Sequence, residues 1–325
     1  MAQPVLSDLH VDALLTDISV AFKNPAYFAD EVFPIVSVNK QADRYVFYNR
    51  DYWFRDDADH IAPGGLPTYV GYDLSTCKYS CDGWDAAKLV SDAERSNADP
   101  AYDLDRDATE FVTSKLQLKR EREMVADFLK CGVWGTSASG VAASATLSTS
   151  QYYRWDELAE SIPIQNVRTA IQTIQQNTGI TPNKIVIGNT AFSTVINHPD
   201  IIDRFKTGMA VTNEAILAQI LGLPRVIVAQ SLYVSTLEGA STQTYAYNFG
   251  KDALVLYTPD RPSLLMPSAG YTFVWSGGGA GAVAGQRILR WRHTERKSDV
   301  IEAESWFDQK LVSSALGYYF HDLVL

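Results

Sequence analysis

Apolar and polar positions alternate with a period of two in two parts of this chain. Val70, Tyr72 and Leu74 alternate with Gly71 and Asp73, which predicts a strand with one apolar face. The end of the chain repeats the pattern and predicts antiparallel strands over Tyr271–Trp275, Arg287–His293, Val300–Phe307 and Ala315–His321.

A helical period replaces the alternation between Asp103 and Lys130. Asp99-Pro100 precedes it as a predicted N-cap and first-turn proline, and Gly132 follows its end. The predicted buried stripe consists of Leu104, Ala108, Phe111, Leu118, Val125 and Leu129. At about 1.5 Å per residue this helix spans roughly 40 Å, a strut across the protein.

The middle of the chain alternates between helices and short apolar strands. Helices are predicted from Pro163 to Gly179, from the Asn189 cap, from Asn197 through Phe205, and over Ala215–Leu221. Strands are predicted over Lys184–Ile187, Arg225–Ala229, Thr244–Phe249 and Ala253–Tyr257. Residues 135–150 are rich in Gly, Ala, Ser and Thr, and we expect a mobile loop there.

The segment before the long helix has an unusual composition. Residues 1–35 predict an extended arm with a short helix, and residues 36–88 a long hairpin whose polar tip is RDDADHIAPGGLP. Six of the twelve residues from Arg44 to Arg55 are aromatic, against 11% of the whole chain. Aromatic residues with arginine are typical of interface hot spots. The predicted subunit-interface residues are Arg44, Phe47, Arg50, Tyr52, Trp53, Phe54 and Arg55.

Composition limits the partners of the chain. The 325 residues are 46% hydrophobic and 20% charged, which is typical of an ordinary globular protein, and the net charge of −10 argues against broad neutralisation of nucleic-acid phosphates. No apolar run approaches the roughly 20 residues of a membrane span, and the N-terminus has no signal-peptide pattern. Cys77 and Cys81 would lie about 13 Å apart in a strand, so we interpret them as packing residues.

No motif predicts catalysis, a cofactor or a metal. Gly279, Gly281 and Ala284 match a dinucleotide-binding spacing, but a strand rather than a helix follows, so we expect a loop. The five histidines occur singly, which favours caps, strand residues or surface groups over metal ligands. Paired acids such as Asp56 and Asp57 are expected to be solvated.

The arginines near the end of the chain are weak support for nucleic-acid binding. Arg287, Arg290, Arg292, Arg296 and Lys297 form a basic stretch, but alternation divides it between two faces of a strand. Depending on register, Arg290 and Arg292 would instead face Glu302 and Glu304 on the neighbouring strand.

The order of these elements resembles that of the major capsid proteins of tailed bacteriophages. Two passages carry the likeness beyond the layout: Thr181–Asn189 (TPNKIVIGN) followed by Asn197-His198-Pro199, and Leu221–Ala229 (LGLPRVIVA). The resemblance covers essentially the whole chain. It implies an α+β fold with an N-terminal arm over 1–35, an extended E-loop hairpin over 36–88, a peripheral domain over 89–154 and 266–325 that contains the long spine helix and antiparallel strands, and an α/β axial domain over 155–265.

The same resemblance implies a structural role without enzyme activity. Copies of the chain would assemble through hexamers and pentamers into an icosahedral or prolate head that encloses double-stranded DNA without reading its sequence. Because the arm begins close to Met1, we expect a separate scaffolding protein or none, together with a portal and, in some relatives, cement proteins. Lys40 and Lys78 lie in the hairpin, but no partner is identified for a covalent cross-link. The expected location is the virion, after assembly in the host cytoplasm.

Two alternatives remain at this point. An encapsulin-like nanocompartment has the same fold and encloses an enzyme instead of a genome. A soluble nucleotide-dependent enzyme would instead use the glycine run Gly277–Gly285.

Overall fold

The predicted alternation of helices and strands is present in the structure, a computed structural model that describes residues 27–48, 52, 54–61, 63–98, 103–205, 214–262, 266–277 and 286–325. In those residues the helices are α1 (Ala29–Val32), α2 (Asp92–Asn97), α3 (Leu104–Phe128), α4 (Pro163–Thr178), α5 (Asn189–Ile196), α6 (Pro199–Phe205) and α7 (Glu214–Leu221). The fold is α+β, as expected.

The strands come from every part of the described chain. They are β1 (Ile35–Val38), β2 (Ala42–Tyr48), β3 (Leu74–Ser80), β4 (Asp82–Ser91), β5 (Thr136–Val141), β6 (Gln151–Tyr153), β7 (Lys184–Gly188), β8 (Arg225–Ala229), β9 (Leu232–Val234), β10 (Tyr245–Tyr247), β11 (Ala253–Leu256), β12 (Gly270–Trp275), β13 (Gln286–His293), β14 (Ser298–Leu311) and β15 (Gly317–His321). The bounds of β8 match the prediction.

A six-stranded sheet in the order β6-β5-β15-β11-β7-β8 forms the main core. Alternate residues of β7 point to opposite sides: Ile185 and Ile187 pack with α4 and α7, whereas Val186 packs with Phe128 at the end of α3. Because both faces are covered, β7 and β11 are buried at every position. This explains their continuous apolar sequences. Strands β5, β6 and β15, which lie outside the range 155–265, are part of the same sheet.

The loop predicted over residues 135–150 is wrong in its first half, because Thr136–Val141 forms β5. This strand pairs in parallel with β15 and with β6. The need for a small residue is clear at Gly140, where a Cβ would lie 2.0 Å from the carbonyl oxygen of Asp322. The close approach of two backbones selects glycine, and the resulting sequence has the composition of a linker.

The long helix α3 is confirmed, but its buried stripe differs from the predicted one. It begins after Asp103, whose side chain accepts the Arg106 backbone N–H, and its buried positions recur every fourth residue. The buried residues are Ala108, Val112, Leu116, Arg120, Glu121, Met124 and Phe128. Phe111 is half-exposed because the stripe contains Val112 instead, and Leu118 is only partly buried because it lies midway between Leu116 and Arg120.

A five-stranded sheet lies against α3. Its order is β1-β12-β14-β13, with β4 on the other edge of β14. Ile301 and Ala303 of β14 and Val90 of β4 pack against Ala108 and Val112 of α3. Strands β1 and β4 therefore belong to this sheet.

The projecting hairpin is narrower than the predicted range 36–88. Strands β2 and β3 pair from Ala42↔Ser80 to Tyr48↔Leu74, so the return strand begins at Leu74 rather than at Val70. The cysteine interpretation is half right: Cys81 is buried, but Cys77 is exposed.

Candidate assembly surface

The hairpin is anchored at its root by stacked aromatic rings. Tyr79 stacks on Phe273 of β12 with the ring centroids 4.7 Å apart, and Tyr45 lies 5.2 Å from the same ring. The Ser80 backbone N–H donates to a carboxylate oxygen of Asp308 at 2.8 Å. Burial raises the pKa of the Cys81 thiol beside this cluster to about 12, so the thiol stays neutral and packs as an apolar group.

Beyond its root the hairpin exposes apolar side chains. Leu66 is 89% exposed, Tyr69 90% and Phe54 67%. The large apolar residues exposed in this segment are Val46, Tyr52, Phe54, Ile61, Leu66, Tyr69, Val70, Tyr72 and Leu74. We call this set the hairpin patch. Exposed apolar side chains that occur together in one part of a protein are typical of an interaction surface.

Some of the predicted interface residues are exposed in the structure, and others are not described. Tyr52 and Phe54 belong to the hairpin patch, and the Arg55 guanidinium lies 5.9 Å from the centre of the Tyr52 ring. Arg44 is exposed on β2. Phe47 belongs to the same strand, but its side chain is not described, and Arg50 and Trp53 lie outside the described residues.

The predicted interface residues do not include the most exposed apolar side chains of the hairpin. Leu66 and Tyr69 were not selected, and Ile61 and Leu66 lie within the predicted polar tip. The sequence contains a sign of their exposure: these apolar residues lie between turn residues and lack the periodicity of a buried helix or strand.

Charged side chains of the core elements hold the segment after residue 26. The buried Glu121 carboxylate of α3 accepts the backbone N–H of Ala29 at 2.9 Å, that of Phe28 at 3.2 Å, and the Ser231 hydroxyl at 2.9 Å. It therefore caps the first turn of α1 and ties it to the loop after β8. Burial outweighs these hydrogen bonds and raises the Glu121 pKa to about 7.

Arg120, the residue before Glu121, also contacts α1. Its guanidinium donates to Asp30 at 3.0 Å and to the Ser305 hydroxyl at 3.3 Å, and it lies 5.0 Å from the centre of the Phe307 ring. Arg120, Asp30 and Glu121 also line a small cavity, of about 40 Å³, at the junction of α1 and α3. This polar junction therefore holds α1 against α3.

The arginines of β13 are engaged in ion pairs rather than arranged as a free basic stripe. Arg290 donates to Asp299 at 2.8 Å and lies 2.9 Å from Asp105; Arg292 pairs with Asp299 and Asp92. The predicted pairing with Glu302 and Glu304 is wrong for both arginines, because the register places Arg292 opposite Asp299 and Arg290 opposite Ile301. Arg287 is the arginine that pairs with Glu304.

The histidine interpretation is confirmed at His198. Its Nδ1 accepts the backbone N–H of Asp200 at 3.2 Å, and its Nε2 lies 2.9 Å from the Ser161 hydroxyl. The ring therefore caps the start of α6, and burial lowers its pKa.

One group of side chains in the described residues has metal-ligand spacing. The ligand atoms of Asp252, His321 and Asp322 all lie within 4.8 Å of one another. The same atoms already serve protein contacts: Asp252 accepts from the Asp322 backbone N–H at 2.8 Å and lies 2.6 Å from the Tyr319 hydroxyl. The group therefore connects the end of β15 to the turn before β11, and we assign no metal to it. Of the glycine run only Gly277 is described.

The helices of the described residues were compared with the requirements of a membrane span. Among its helices, none combines the length and the apolarity needed to cross a bilayer.

Comparison with known proteins returns phage capsid proteins by sequence and by structure. No protein-family model matches the chain. The chain is 20% identical over 314 residues to the major capsid protein of Burkholderia phage BcepMu, covering 95% of each chain. It is 25% identical over 224 residues to that of Pseudomonas phage JBD67, covering 68% of this chain and 69% of the relative.

Solved structures share the fold over nearly the full length. A phage-related protein from Bordetella bronchiseptica matches with a TM-score of 0.69 and 20% identity, covering 96% of this chain and 97% of that one. The capsid protein of Cyanophage P-SCSP1u matches with a TM-score of 0.64 and 11% identity, covering 98% and 95%. The encapsulin SrpI of Synechococcus elongatus matches with a TM-score of 0.51 and 9% identity, covering 97% of both chains. The likeness extends to both kinds of protein shell.

Proposed function

We propose that this chain is a structural capsid protein similar to the phage major capsid proteins, and that its copies form hexamers and pentamers of a phage head enclosing double-stranded DNA. The observation that carries the proposal is the hairpin patch. Its apolar side chains are exposed in the single chain although the root of the hairpin is firmly packed. Burying one such side chain contributes about 1.5–3 kcal/mol, so several per copy favour association.

The proposal assigns each region a place in the shell. Residues 1–35 form the N-terminal arm, whose described end is held on α3 by the Glu121 and Arg120 contacts. Residues 36–88 hold the E-loop hairpin that reaches a neighbouring copy. The peripheral domain over 89–154 and 266–325 contains α3 and the five-stranded sheet, and the axial domain over 155–265 supplies most of the six-stranded sheet and faces the centre of each ring.

Partners other than copies of the chain follow from the same proposal. The head would use a portal, a separate scaffolding protein and, where present, cement proteins. DNA would be enclosed without sequence-specific contacts, a role that the net charge of −10 and the ion-paired arginines of β13 favour. Assembly would take place in the host cytoplasm and leave the protein in the virion, where its role is structural rather than enzymatic.

An encapsulin-like nanocompartment is the second candidate, since the SrpI encapsulin shares the fold. The two functions differ in what the shell encloses. A phage head holds double-stranded DNA, whereas a nanocompartment holds a protein cargo.

The decisive experiment expresses the full chain and measures its particles by light scattering and electron microscopy. We expect closed shells or hexameric and pentameric rings, and heads that contain DNA when the partner proteins are supplied. Protein cargo in smaller shells without a packaging partner would favour the nanocompartment. A chain that stays monomeric at all concentrations and ionic strengths, with or without partners, would contradict both functions.

A further inference from the structure

Four cations lie in a row along one face of α3 and on the neighbouring strand β4. Lys115, Lys119 and Arg122 are four and three residues apart, so they share this face of the helix. Lys88 of β4 joins them, because its ammonium group and that of Lys115 lie 5.6 and 5.2 Å from the centre of the Phe111 ring. We call Lys88, Lys115, Lys119 and Arg122 the cationic row.

An aromatic ring holds each cation of the row in place. The Lys119 ammonium group lies 4.0 Å from the centre of the Trp84 ring, and the Arg122 guanidinium lies 4.3 Å from that of Tyr233. The ring shared by the other two cations, Phe111, is 51% exposed. A ring attracts a cation through its quadrupole but brings no negative charge of its own. The rings therefore position the row without neutralising it.

The cationic row has a positive charge that is only partly balanced by ion pairs. Glu123 pairs with Lys119, whereas neither Lys88 nor Lys115 forms an ion pair within the part of the chain that the structure describes. The arginines of β13 differ in this respect, because aspartate and glutamate side chains bind them. Two ammonium groups beside one ring repel each other, so an anion that reaches both is favoured.

The spacing of the row suits a ligand whose anions repeat closely. From Lys115 to Arg122 the helix advances about 10 Å. One strand of a DNA duplex has a phosphate about every 3.4 Å along the axis, so about three phosphates fall within that length. Lysine binds phosphate as a point charge, and a phosphate contact carries no sequence information. The row therefore suits DNA of any sequence.

We propose that the cationic row binds the phosphates of the duplex DNA that the shell encloses. The inference rests on the proposed function and names the surface that contacts the DNA. The net charge of −10 repels DNA elsewhere on the chain, so each copy makes one weak contact, confined to this row. Many copies in one shell add such contacts together, while each single contact is easily broken.

A positive surface also suits an acidic peptide of a partner protein, but two arguments favour DNA. Every nucleotide carries a phosphate, whereas an extended peptide directs successive side chains to opposite faces, so fewer of its charges reach one row. The proposed head also holds DNA at a high concentration, which fills even a weak site. Measurements with both polyanions distinguish the two ligands.

The test measures binding of the full, dissociated chain to a fluorescent duplex by fluorescence polarisation. With four phosphate contacts, the affinity should fall roughly 150-fold between about 50 and 200 mM salt. Lys88→Gln/Lys115→Gln leaves two contacts, and its affinity should fall only about 12-fold over that range. At the lower salt concentration this row variant should bind the duplex at least about tenfold more weakly than the unchanged chain.

Lys130→Gln/Lys251→Gln is the matched control. Both lysines are exposed and lie outside the row, and the variant changes the net charge as much as the row variant. It should keep the affinity and the salt dependence of the unchanged chain. Circular dichroism checks that both variants fold. If the row variant does not fold, Lys115→Gln alone, at an exposed position, should lower the salt dependence by about one phosphate contact.

Three outcomes would overturn the inference. The unchanged chain binds no duplex at low salt, or the row variant and the control bind it equally well. In the third outcome polyglutamate binds as tightly as the duplex and loses affinity in the row variant, which would assign the row to an acidic protein partner. Electron microscopy of the unchanged chain separates these results from the proposed function, which stands if shells form and is removed if they do not.

Discussion

The six-stranded sheet and the hairpin use apolar residues in opposite ways. Every residue of Lys184–Gly188 and Ala253–Leu256 is buried, because helices cover both faces of the sheet. The hairpin patch, by contrast, is exposed although its root packs on Phe273. The first region stabilises the single chain, and the second is available to other copies. Changes in the two regions should therefore differ in whether folding or assembly is lost.

The largest effect is expected on assembly, from Leu66→Ser/Tyr69→Ser. Both side chains are almost fully exposed, so the free energy of unfolding of the separated chain should change by less than about 0.5 kcal/mol. Shell yield should fall more than tenfold, because every copy loses the same contacts and each 1.4 kcal/mol is tenfold in an equilibrium constant. Sedimentation of assembled against free protein measures the yield.

A control for this change uses half-exposed residues outside the hairpin. Phe111 and Leu158 are of similar types. Phe111→Ser/Leu158→Ser should leave most of the shell yield intact. An equal loss in both variants would mean that the hairpin patch has no special part in assembly.

The second effect compares two phenylalanines. Phe320 is buried in the six-stranded sheet among the rings of Tyr152, Trp155 and Tyr318. Phe320→Ala should lower the free energy of unfolding by about 3–5 kcal/mol, since it loses apolar contact and leaves a cavity. Phe54→Ala should change it by less than about 0.5 kcal/mol. Denaturant unfolding of dissociated protein compares them, and similar losses would show that the hairpin is part of the folding core.

The comparison also explains which parts of the fold the sequence predicts. Strand β8 was predicted with its observed bounds, and α4 ends at Gly179 with a φ of +70°, where glycine is favoured. These elements have local signals. Strand β5 was missed because Gly140 is selected by the backbone of Asp322, which is 182 residues later in the chain and leaves no local trace.

The buried charges of α3 were missed for a similar reason. Arg120 and Glu121 occupy the buried stripe only because Asp30, Ala29 and Ser231 supply their partners. Periodicity assigns charged residues to the solvent. The interface residues were predicted by composition, which identified the hairpin but not the most exposed members of its patch.

The third effect concerns Glu121, whose charge is buried at the edge of the core. Its pKa is raised from 4.5 to about 7, so the folded chain holds the proton more tightly than the unfolded chain. This stabilisation is complete below pH 4.5 and is lost as the pH rises through about 7. The free energy of unfolding should fall by up to about 3 kcal/mol over that window. Glu121→Gln should remove this pH dependence.

Glu123→Gln is the matched control, since Glu123 lies on the same helix in a half-exposed pair with Lys119. Its unfolding curves should follow those of the unchanged chain across the pH range. If Glu121→Gln also followed them, the Glu121 carboxyl would not titrate in the folded chain near neutral pH.

The smallest effect is expected at Asp299, where the sign is reversed. Contacts with Arg290, Arg292 and Arg95 lower its pKa from 3.8 to about 2. The folded chain therefore releases the proton more readily, and the stabilisation present above pH 3.8 is lost as the pH falls through about 2. Asp299→Asn should flatten the acid side of the stability profile, by less than Glu121→Gln changes the neutral side, because partly exposed arginines are screened by solvent.

Asp57→Asn, in the exposed pair with Arg55, is the control and should leave the acid side unchanged. Parallel acid profiles for Asp299→Asn and the unchanged chain would mean that these arginine contacts do not stabilise the fold.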